Sequence, residues 1–424
     1  MSKYIWPPKE QRKYDNYMGL GVHIYEQMFG SLSDEPDSPY RRISIANIGF
    51  SLDPTKGCPL RCSYCVRLSN KVDGLFDDEK NIQDQKLFQT LPKVEVDGDV
   101  LIKNLIKHPT FFPNEAVISI STGSSEAFAP VSEEQTIKIL EELRHKQNLA
   151  NPVWIVTKLG INQNHIKKWA ALFTKYTKQG PIILSVTSSG LPSEIESYQA
   201  DRFKFVEDLQ QSGVYISHHL RPIIRGINDS EEILRSELQR SLPLVKSVCV
   251  GGLRMDPGIK IAWQDINKLD PNLLPNKPGE KDLPENVVEK VRRFMDELGY
   301  SSTPLFIHSS HVIAHATEKF DHCLQEFAGG SDKEVVLTIP KVNLIKDVQN
   351  LKEIVAKTKN KLNLECEIAV KENTTSVKIT TNDSQLFKDY RIKKLFIQTV
   401  GHYNNVEKVM NTDILSYWKK YNEN

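Results

Sequence analysis

Three cysteines lie close together in the segment Cys58-Pro-Leu-Arg-Cys62-Ser-Tyr-Cys65, at positions i, i+4 and i+7. A loop this short can present three thiolates to one metal cluster, whereas a disulfide framework needs paired and dispersed cysteines. Three ligands on a four-iron cluster leave one iron open, and an open iron can bind a small molecule and act on it. The aromatic ring of Tyr64, directly before the third cysteine, is placed to shield such a cluster from water.

Two plainer explanations of the three cysteines remain open. They could form a structural zinc knuckle, although a closed zinc site needs a fourth ligand and none is obvious nearby. They could also be three buried thiols, although structural cysteines rarely cluster in a loop flanked by Gly and Pro. The other cysteines of the chain, Cys249, Cys323 and Cys366, are too dispersed to form a second cluster.

Alternating strand and helix patterns surround the cysteine loop. Apolar and β-branched runs predict strands at 43–52, 116–121, 153–157, 181–187, 214–220, 247–253 and 303–308. Helical spacing predicts helices at 97–107, 132–146, 166–176, 203–212, 230–242 and 284–298. This repetition indicates a parallel sheet with right-handed crossovers. The cysteine loop follows the first strand, at the edge where α/β barrel enzymes keep their chemistry.

The spacing Cys-x3-Cys-x-aromatic-Cys resembles the signature loop of the radical S-adenosylmethionine superfamily. That resemblance implies an α/β fold, with a partial (β/α)6 TIM-type barrel. Thr157-Lys158, Ser-Val-Thr at 185–187 and His-His-Leu-Arg-Pro-Ile-Ile at 218–224 look more loosely like the spore photoproduct lyase branch. The resemblance covers roughly residues 43–325.

We expect the chain to consist of three parts. Residues 1–42 form an N-terminal arm, and residues 43–328 form the partial barrel with a substrate-side extension. Gly329-Gly330-Ser331-Asp332 is typical of a linker, and it opens a small C-terminal α+β accessory domain at 329–424. In that domain strands are predicted at 335–339, 367–370 and 376–380, and helices at 342–361 and 406–421.

The resemblance assigns S-adenosylmethionine to residues just beyond the second strand. The family's Gly-rich segment corresponds to Thr122, Gly123 and Ser124, although Ser124 and Ser125 depart from the frequent Gly-Gly-Glu form. Glycine at this place allows close backbone approach. Glu126 could contact the cofactor's ammonium group or the substrate, or it could cap the next helix.

Later strands end in further candidate cofactor-binding residues. Lys158 is placed to meet a carboxylate or ribose oxygen, and the hydroxyls of Ser185 and Thr187 are placed to bind the ribose or the methionine carboxylate. Arg221 is a candidate clamp for a carboxylate or phosphate, because guanidinium binds oxyanions bidentately. A solvated lysine, turn-forming hydroxyls and a surface arginine are the corresponding plainer interpretations.

The expected chemistry follows from the resemblance. Cys58, Cys62 and Cys65 hold a [4Fe–4S] cluster that binds S-adenosylmethionine, and an electron donor such as flavodoxin or ferredoxin reduces it. Cleavage gives a 5′-deoxyadenosyl radical that abstracts hydrogen from a nucleotide, nucleoside or other small metabolite. Cys249 or Cys323 could return the hydrogen atom. The enzyme would belong to the lyase, isomerase or oxidoreductase class.

Two other functions remain open. The chain could modify DNA, RNA or a peptide, with residues 329–424 as the recognition module, or it could be a non-catalytic iron–sulfur binding or sensing protein. His311 and His315 lie at i and i+4 on one helix face and could share a second metal. The histidines at 308, 311, 315 and 322 fit better as groups that line the substrate side or fill the core.

The composition bears on the partners and the cellular location of the protein. The 424 residues carry a net charge of +1, with 39% hydrophobic and 26% charged residues, so global charge indicates no particular partner. No apolar run approaches the roughly 20 residues of a membrane span, and the N-terminus has no apolar signal segment. We therefore expect a cytoplasmic protein without a membrane partner, in which thiols stay reduced.

Overall fold

The computed structural model describes residues 41–46, 49–60, 62–65, 92–107, 111, 113–114, 116–123, 125–254, 259, 281–317, 328–329, 334–340, 364–370 and 374–381. Ser124, Cys323, His322 and almost all of the predicted N-terminal arm lie outside these residues. So do the two helices predicted at 342–361 and 406–421.

The strands are β1 Ile43–Ala46, β2 Gly49–Leu52, β3 Thr55–Lys56, β4 Lys93–Val94, β5 Ile118–Ile120, β6 Val153–Thr157, β7 Ile182–Thr187, β8 Tyr215–Ile223, β9 Ser247–Arg254, β10 Lys281–Asp282, β11 Leu305–Phe306, β12 Ala328–Gly329, β13 Glu334–Pro340, β14 Leu364–Val370 and β15 Thr374–Thr381. The helices are α1 Gly98–Ile106, α2 Pro130–Glu141, α3 Ile166–Tyr176, α4 Glu231–Ser241, α5 Val287–Glu297 and α6 Ser309–Thr317. A π-helical turn, Glu142–Lys146, extends α2.

The main sheet is a mixed α/β arrangement built on seven parallel strands. Its order is β1-β2-β5-β6-β7-β8-β9-β10, and β11 also pairs with β9. The pairs from β2 through β9, and β9 with β11, are parallel, while β1 and β10 are antiparallel to their neighbours. The predicted parallel sheet is thus confirmed, and the carboxyl ends of its strands share one edge.

The segment predicted as one strand at 43–52 is instead two strands. β1 and β2 pair antiparallel, with Ala46 opposite Gly49. Gly49 has a φ of 147°, and a Cβ at this position would lie 2.2 Å from the carbonyl oxygen of Val117. The chain therefore turns where only glycine fits beside β5, and β2 alone joins the parallel sheet.

The helix predicted at 203–212 is wrong. The segment contains one short 3-10 turn, Glu207–Leu209, and otherwise consists of turns. The carboxylate of Asp201 accepts a hydrogen bond from the backbone N–H of Phe203 at 2.9 Å, as in an Asx turn. Phe203, Val206 and Leu209 are still buried, because tertiary packing orders the segment without a regular helix.

Each strand divides its side chains between two faces of the sheet. One face packs against α1 to α5 in the main core, through residues such as Leu101, Ile139, Phe173, Leu238 and Phe294. The other face carries Val117, Trp154, Ile183, Cys249 and Phe306, and Val312 and Ile313 of α6 pack on it. We call this second surface the α6 face.

Two smaller sheets complete the described structure. β3 and β4 pair antiparallel beside the cysteine loop. The C-terminal strands form a separate antiparallel sheet in the order β12-β13-β15-β14, and they confirm the three strands predicted after residue 334. No helix in the ranges given above has both the length and the apolar character needed to cross a membrane.

Candidate functional site

The cysteine loop lies against the segment that follows β7. Gly57 turns the chain with a φ of 102° directly before Cys58. Ser63 then donates two hydrogen bonds to the carbonyl of Ile195, from its N–H at 3.0 Å and from its hydroxyl at 3.1 Å. These bonds hold the loop at the edge of the sheet where the parallel strands end, as predicted from its position after the first strand.

The three cysteines of the loop are unequal in environment. Cys62 is buried, whereas Cys58 and Cys65 are half-buried, and none of them forms a disulfide. Burial raises the pKa of Cys62 to about 11, and the positive charge of Lys158 opposes this rise. Burial, and secondarily the neighbouring Cys65, also raises the pKa of Cys58. Without a bound cation the thiols of Cys58 and Cys62 are therefore protonated at neutral pH.

The thiols can be tested against the group that they are expected to hold. Among the residues that the structure describes, no three His, Cys, Asp or Glu side chains converge closely enough to hold a single metal ion. A four-iron cluster needs a wider arrangement, since each thiolate binds a different iron. Three free thiols in one loop match the donor type of such a cluster, because soft thiolates are its usual ligands.

Lys158 brings a cation to the cysteine loop. Its Nζ lies 3.8 Å from Cys62 Sγ and 3.8 Å from the centroid of the Tyr64 ring, and it also donates a hydrogen bond to the Tyr64 hydroxyl. The residue stands directly after β6, which is where the sequence predicted a functional lysine. The plainer interpretation, a solvated lysine, is wrong, because the side chain is half-buried against the loop.

The Tyr64 hydroxyl links Lys158 to a buried ion pair. It donates a hydrogen bond to Glu196, which pairs with Arg202. Arg202 also donates to the carbonyls of Thr187 and Tyr198, both at 2.7 Å. The carboxylate and guanidinium are 2% and 6% exposed, so the pair is buried and tied to the end of β7.

Sequence reasoning missed Glu196 and Arg202. They lie in the run that follows the fourth predicted strand, where charged residues normally face water. Nothing in their spacing separates Glu196 from its exposed neighbour Glu194. Only the docking of the cysteine loop onto this segment gives the pair its role.

Glu126 has a structural setting that the sequence left open. Its buried carboxylate accepts hydrogen bonds from Thr157 Oγ1 at 2.5 Å and from the backbone N–H of Lys158 at 3.0 Å. Burial raises its pKa, and these hydrogen bonds counteract part of the rise. The side chain makes no cap to α2, so the capping interpretation is wrong. Glu126 instead holds the end of β6 that carries Lys158.

Gly123 and Thr122 lie where the Gly-rich segment was predicted. The N–H of Gly123 donates to Asp53 Oδ1 at 2.6 Å, and a Cβ on Gly123 would come within 2.1 Å of that carboxylate. Ser51 also donates to Asp53 Oδ2 at 2.8 Å, and its hydroxyl lies 2.9 Å from the Thr122 hydroxyl. The close approach that requires glycine is therefore made by a side chain of the protein itself.

The remaining predicted residues lie on the central strands. Ser185 is buried in β7 and accepts a hydrogen bond from Trp154 Nε1 at 2.8 Å, and Thr187 is buried at the end of the same strand. Cys249 is fully buried on the α6 face, next to His219 in register. Arg221 on β8 donates to Ser309 Oγ at 2.8 Å.

The histidines near α6 make core contacts. His315 Nδ1 lies 2.9 Å from the Tyr215 hydroxyl, and the rings of His311 and His315 both approach Phe306. His308 and His311 stack edge to face at 5.2 Å between centroids. These contacts favour the interpretation of the histidines as groups that fill the core below the α6 face.

A comparison of the chain with protein-family models found no match, and a comparison with curated protein sequences likewise found none.

Proposed function

We propose that this chain is a radical S-adenosylmethionine enzyme that holds a [4Fe–4S] cluster on Cys58, Cys62 and Cys65. The observation that carries the proposal is the placement of three free thiols at the carboxyl edge of a parallel sheet, with Lys158 Nζ 3.8 Å from Cys62 Sγ. A cation in this position stabilises negative charge on a thiolate and hence on a cluster bound to it.

The side chains of the site have distinct parts in this proposal. Cys58, Cys62 and Cys65 would ligate the cluster, and Tyr64 would exclude water from it. When bound, the cluster would supply the electron for reductive cleavage of S-adenosylmethionine, which is the source of the radical that would take a hydrogen atom from substrate. Lys158 would stabilise the negative charge of the Cys62 thiolate.

The strand ends supply the remaining cofactor contacts. Thr122 and Thr187 carry hydroxyl groups at the same edge as the loop. The chemistry requires a dry site, because a carbon radical must meet one C–H bond and not solvent. Cys62 and Tyr64 at this edge are buried. The substrate is proposed to be a nucleotide, nucleoside or other small metabolite, and the electron donor a flavodoxin or ferredoxin.

The fold proposal that accompanies this function is a partial (β/α)6 barrel. It is supported by the sequential order of the parallel strands from β2 to β9 and by helices that alternate with them along the chain. The α6 face, opposite the helix layer formed by α1 to α5, would then be the interior of the barrel.

The test is anaerobic reconstitution with iron and sulfide, followed by reduction with dithionite and measurement of 5′-deoxyadenosine made from S-adenosylmethionine. We expect product from the wild type and none from a variant with Cys58, Cys62 and Cys65 all changed to Ala. A Cys366→Ala variant is the matched control, because it removes a thiol from β14 and leaves the loop intact.

The outcome separates the possible functions. A wild-type protein that loads a four-iron cluster but makes no 5′-deoxyadenosine, even with cell extract added as a source of substrate, would indicate an iron–sulfur binding or sensing protein. A wild-type protein that loads only zinc would contradict the proposal of an iron–sulfur cluster.

A further inference from the structure

His219 is a buried histidine with unused hydrogen-bonding groups. It lies on β8, between Thr187 of β7 and Cys249 of β9 in register, and its side chain is fully buried. Within the described part of the chain, neither Nδ1 nor Nε2 has a hydrogen-bond partner. Burying a polar group without a partner is unfavourable, so such a group calls for a ligand.

The chemistry of this histidine follows from its surroundings. Burial, together with the positive charge of Arg221 and the neighbouring His218, lowers the pKa of His219 well below its usual value. The ring is therefore neutral at physiological pH, with one nitrogen as a donor and the other as an acceptor. Trp154 lies beside it, with 6.3 Å between ring centroids. A neutral ring of this kind matches a hydroxyl or an amide, which can accept one bond and donate another.

Arg221 is two residues further along the same strand and therefore belongs to the same face of the sheet. Its guanidinium carries five N–H donors, and it donates one hydrogen bond, to Ser309 Oγ at 2.8 Å. In the described ranges no carboxylate forms an ion pair with it. The side chain is half-buried, and the surrounding protein lowers its pKa by desolvation. An unpaired cation in such a place favours an anion.

The backbone beside Arg221 is shaped to its side chain. Gly251 of β9 lies alongside, and a Cβ there would be 3.2 Å from Arg221 Cδ and 3.4 Å from its Cβ. Any larger residue at 251 would press on the arginine stem. The glycine therefore leaves the guanidinium in place on this face.

His219 and Arg221 lie on a different part of the sheet from the contact between Lys158 and the cysteine loop. Lys158 follows β6, whereas His219 and Arg221 stand on β8, with β7 between them. Strands are spaced by about 4.8 Å, so two strand spacings amount to about 10 Å. At this separation, one small molecule beside Lys158 and a second one at β8 can lie next to each other.

We propose that His219 and Arg221 form the substrate subsite of this enzyme and bind a small anionic molecule, with its oxyanion on Arg221 and a neighbouring hydroxyl or amide on His219. The inference rests on the proposed function, because it names the class of substrate for the same site. It differs from the sequence expectation, in which Arg221 served the cofactor.

The test measures binding to the reconstituted protein by calorimetry, without turnover. The probes are inorganic phosphate, glycerol phosphate, which adds hydroxyls, and glycerate, which replaces the phosphate with a carboxylate. The variants are Arg221→Gln, Arg221→Lys and His219→Phe, and S-adenosylmethionine is titrated into each in parallel. Arg225→Gln is the matched control, because it makes the same change at an exposed position after the same strand.

We expect Arg221→Gln to weaken the best anionic probe by about 10- to 100-fold, as loss of a hydrogen bond to a charged group does. Arg221→Lys keeps the charge without the bidentate fork, so an intermediate loss is expected. His219→Phe should weaken glycerol phosphate more than inorganic phosphate. Arg225→Gln should change none of these affinities, and S-adenosylmethionine should bind all variants alike.

Several results would overturn the subsite. One is that no phosphate or carboxylate probe binds the wild type, and another is that Arg221→Gln binds them as the wild type does. A parallel loss of S-adenosylmethionine affinity in Arg221→Gln would indicate that Arg221 binds the cofactor and not the substrate. The comparison of glycerol phosphate with glycerate shows which oxyanion the site takes. Failure of the 5′-deoxyadenosine assay with intact probe binding would reject the radical chemistry but not the anion site.

Discussion

Lys158 brings a positive charge to the cysteine loop, and it does so from the end of a sheet strand. Its Nζ contacts Cys62 Sγ, and it donates to the Tyr64 hydroxyl. The sequence predicted a functional lysine at this place but assigned it to the cofactor's oxygens. The contact with a thiol depends on how the loop folds back, and this was not predictable from the spacing of residues 62 and 158.

Replacing this lysine should alter the electrochemistry of the proposed cluster. We expect Lys158→Met to lower its reduction potential by tens of millivolts, because the reduced cluster carries one more negative charge and loses a cation near its ligand. Protein-film voltammetry or a redox titration followed by electron paramagnetic resonance measures the shift.

Lys168→Met serves as the control, since that side chain is exposed on α3. An unchanged potential in Lys158→Met, in a variant that still loads four irons, would contradict the electrostatic role of this lysine.

At the scale of elements, the ends of β2 and β5 are joined by one carboxylate. Asp53 follows β2 and accepts a hydrogen bond from the N–H of Gly123, which follows β5. The contact fixes the start of the path from β2 to the cysteine loop. The glycine was predicted from the family resemblance, and the structure gives it a packing reason within the chain.

We expect Gly123→Ala to destabilise the protein by about 1–3 kcal/mol, because the added methyl group would meet the Asp53 carboxylate at 2.1 Å. Urea unfolding measures the loss. In an Asp53→Ala background the added cost of Gly123→Ala should fall, because the clashing group is gone. Strictly additive free energies in the double variant would show that the two residues are not coupled.

Helices and strands differed in how well their sequence patterns predicted them. The helix at 166–176 was predicted with the bounds that α3 has, because Ile166, Trp169, Phe173 and Tyr176 repeat at helical spacing and are all buried. The segment 203–212 also buries apolar residues, among them Phe203, Val206 and Leu209, yet it consists of turns. Buried apolar residues alone therefore do not distinguish a helix from a series of turns.

At the scale of the whole molecule, β8 is anchored through His218 to two distant segments. Its ring lies 2.9 Å from the carbonyl of Ser188 and 2.8 Å from the Ser241 hydroxyl. Because a carbonyl only accepts, Nε2 carries the proton and Nδ1 accepts from Ser241. The ring thus links β8 to the segment after β7 and to α4 in its neutral form.

This link predicts a dependence of stability on pH. Burial lowers the pKa of His218 to about 4 in the folded protein, while the unfolded chain has the usual value near 6.5. Between these values only the unfolded state binds the proton. The stabilisation is therefore complete above about pH 6.5 and is lost as the pH falls toward 4, by about 3 kcal/mol in total.

The measurement is the free energy of unfolding in urea at a series of pH values between 4 and 7.5, for the wild type and for His218→Gln. The difference between the two proteins isolates this residue from other groups that titrate in the same range. Equal pH slopes in both proteins would contradict the role assigned to His218.

The proposed donor set and the positions of most strands along the chain were predictable from the sequence alone. Three cysteines within one short loop supply three neighbouring thiols, and apolar, β-branched runs predict strands. Both are local properties, so they can be predicted from residues close together in the chain.

Which polar groups meet was set by the tertiary structure. Lys158 reaches Cys62 across 96 positions, Tyr64 reaches Glu196 across 132, and Asp53 reaches Gly123 across 70. The unpartnered nitrogens of His219 likewise depend on which strands flank β8. Contacts of this kind follow from how loops dock on the sheet and what burial excludes, and local periodicity carries no information about either.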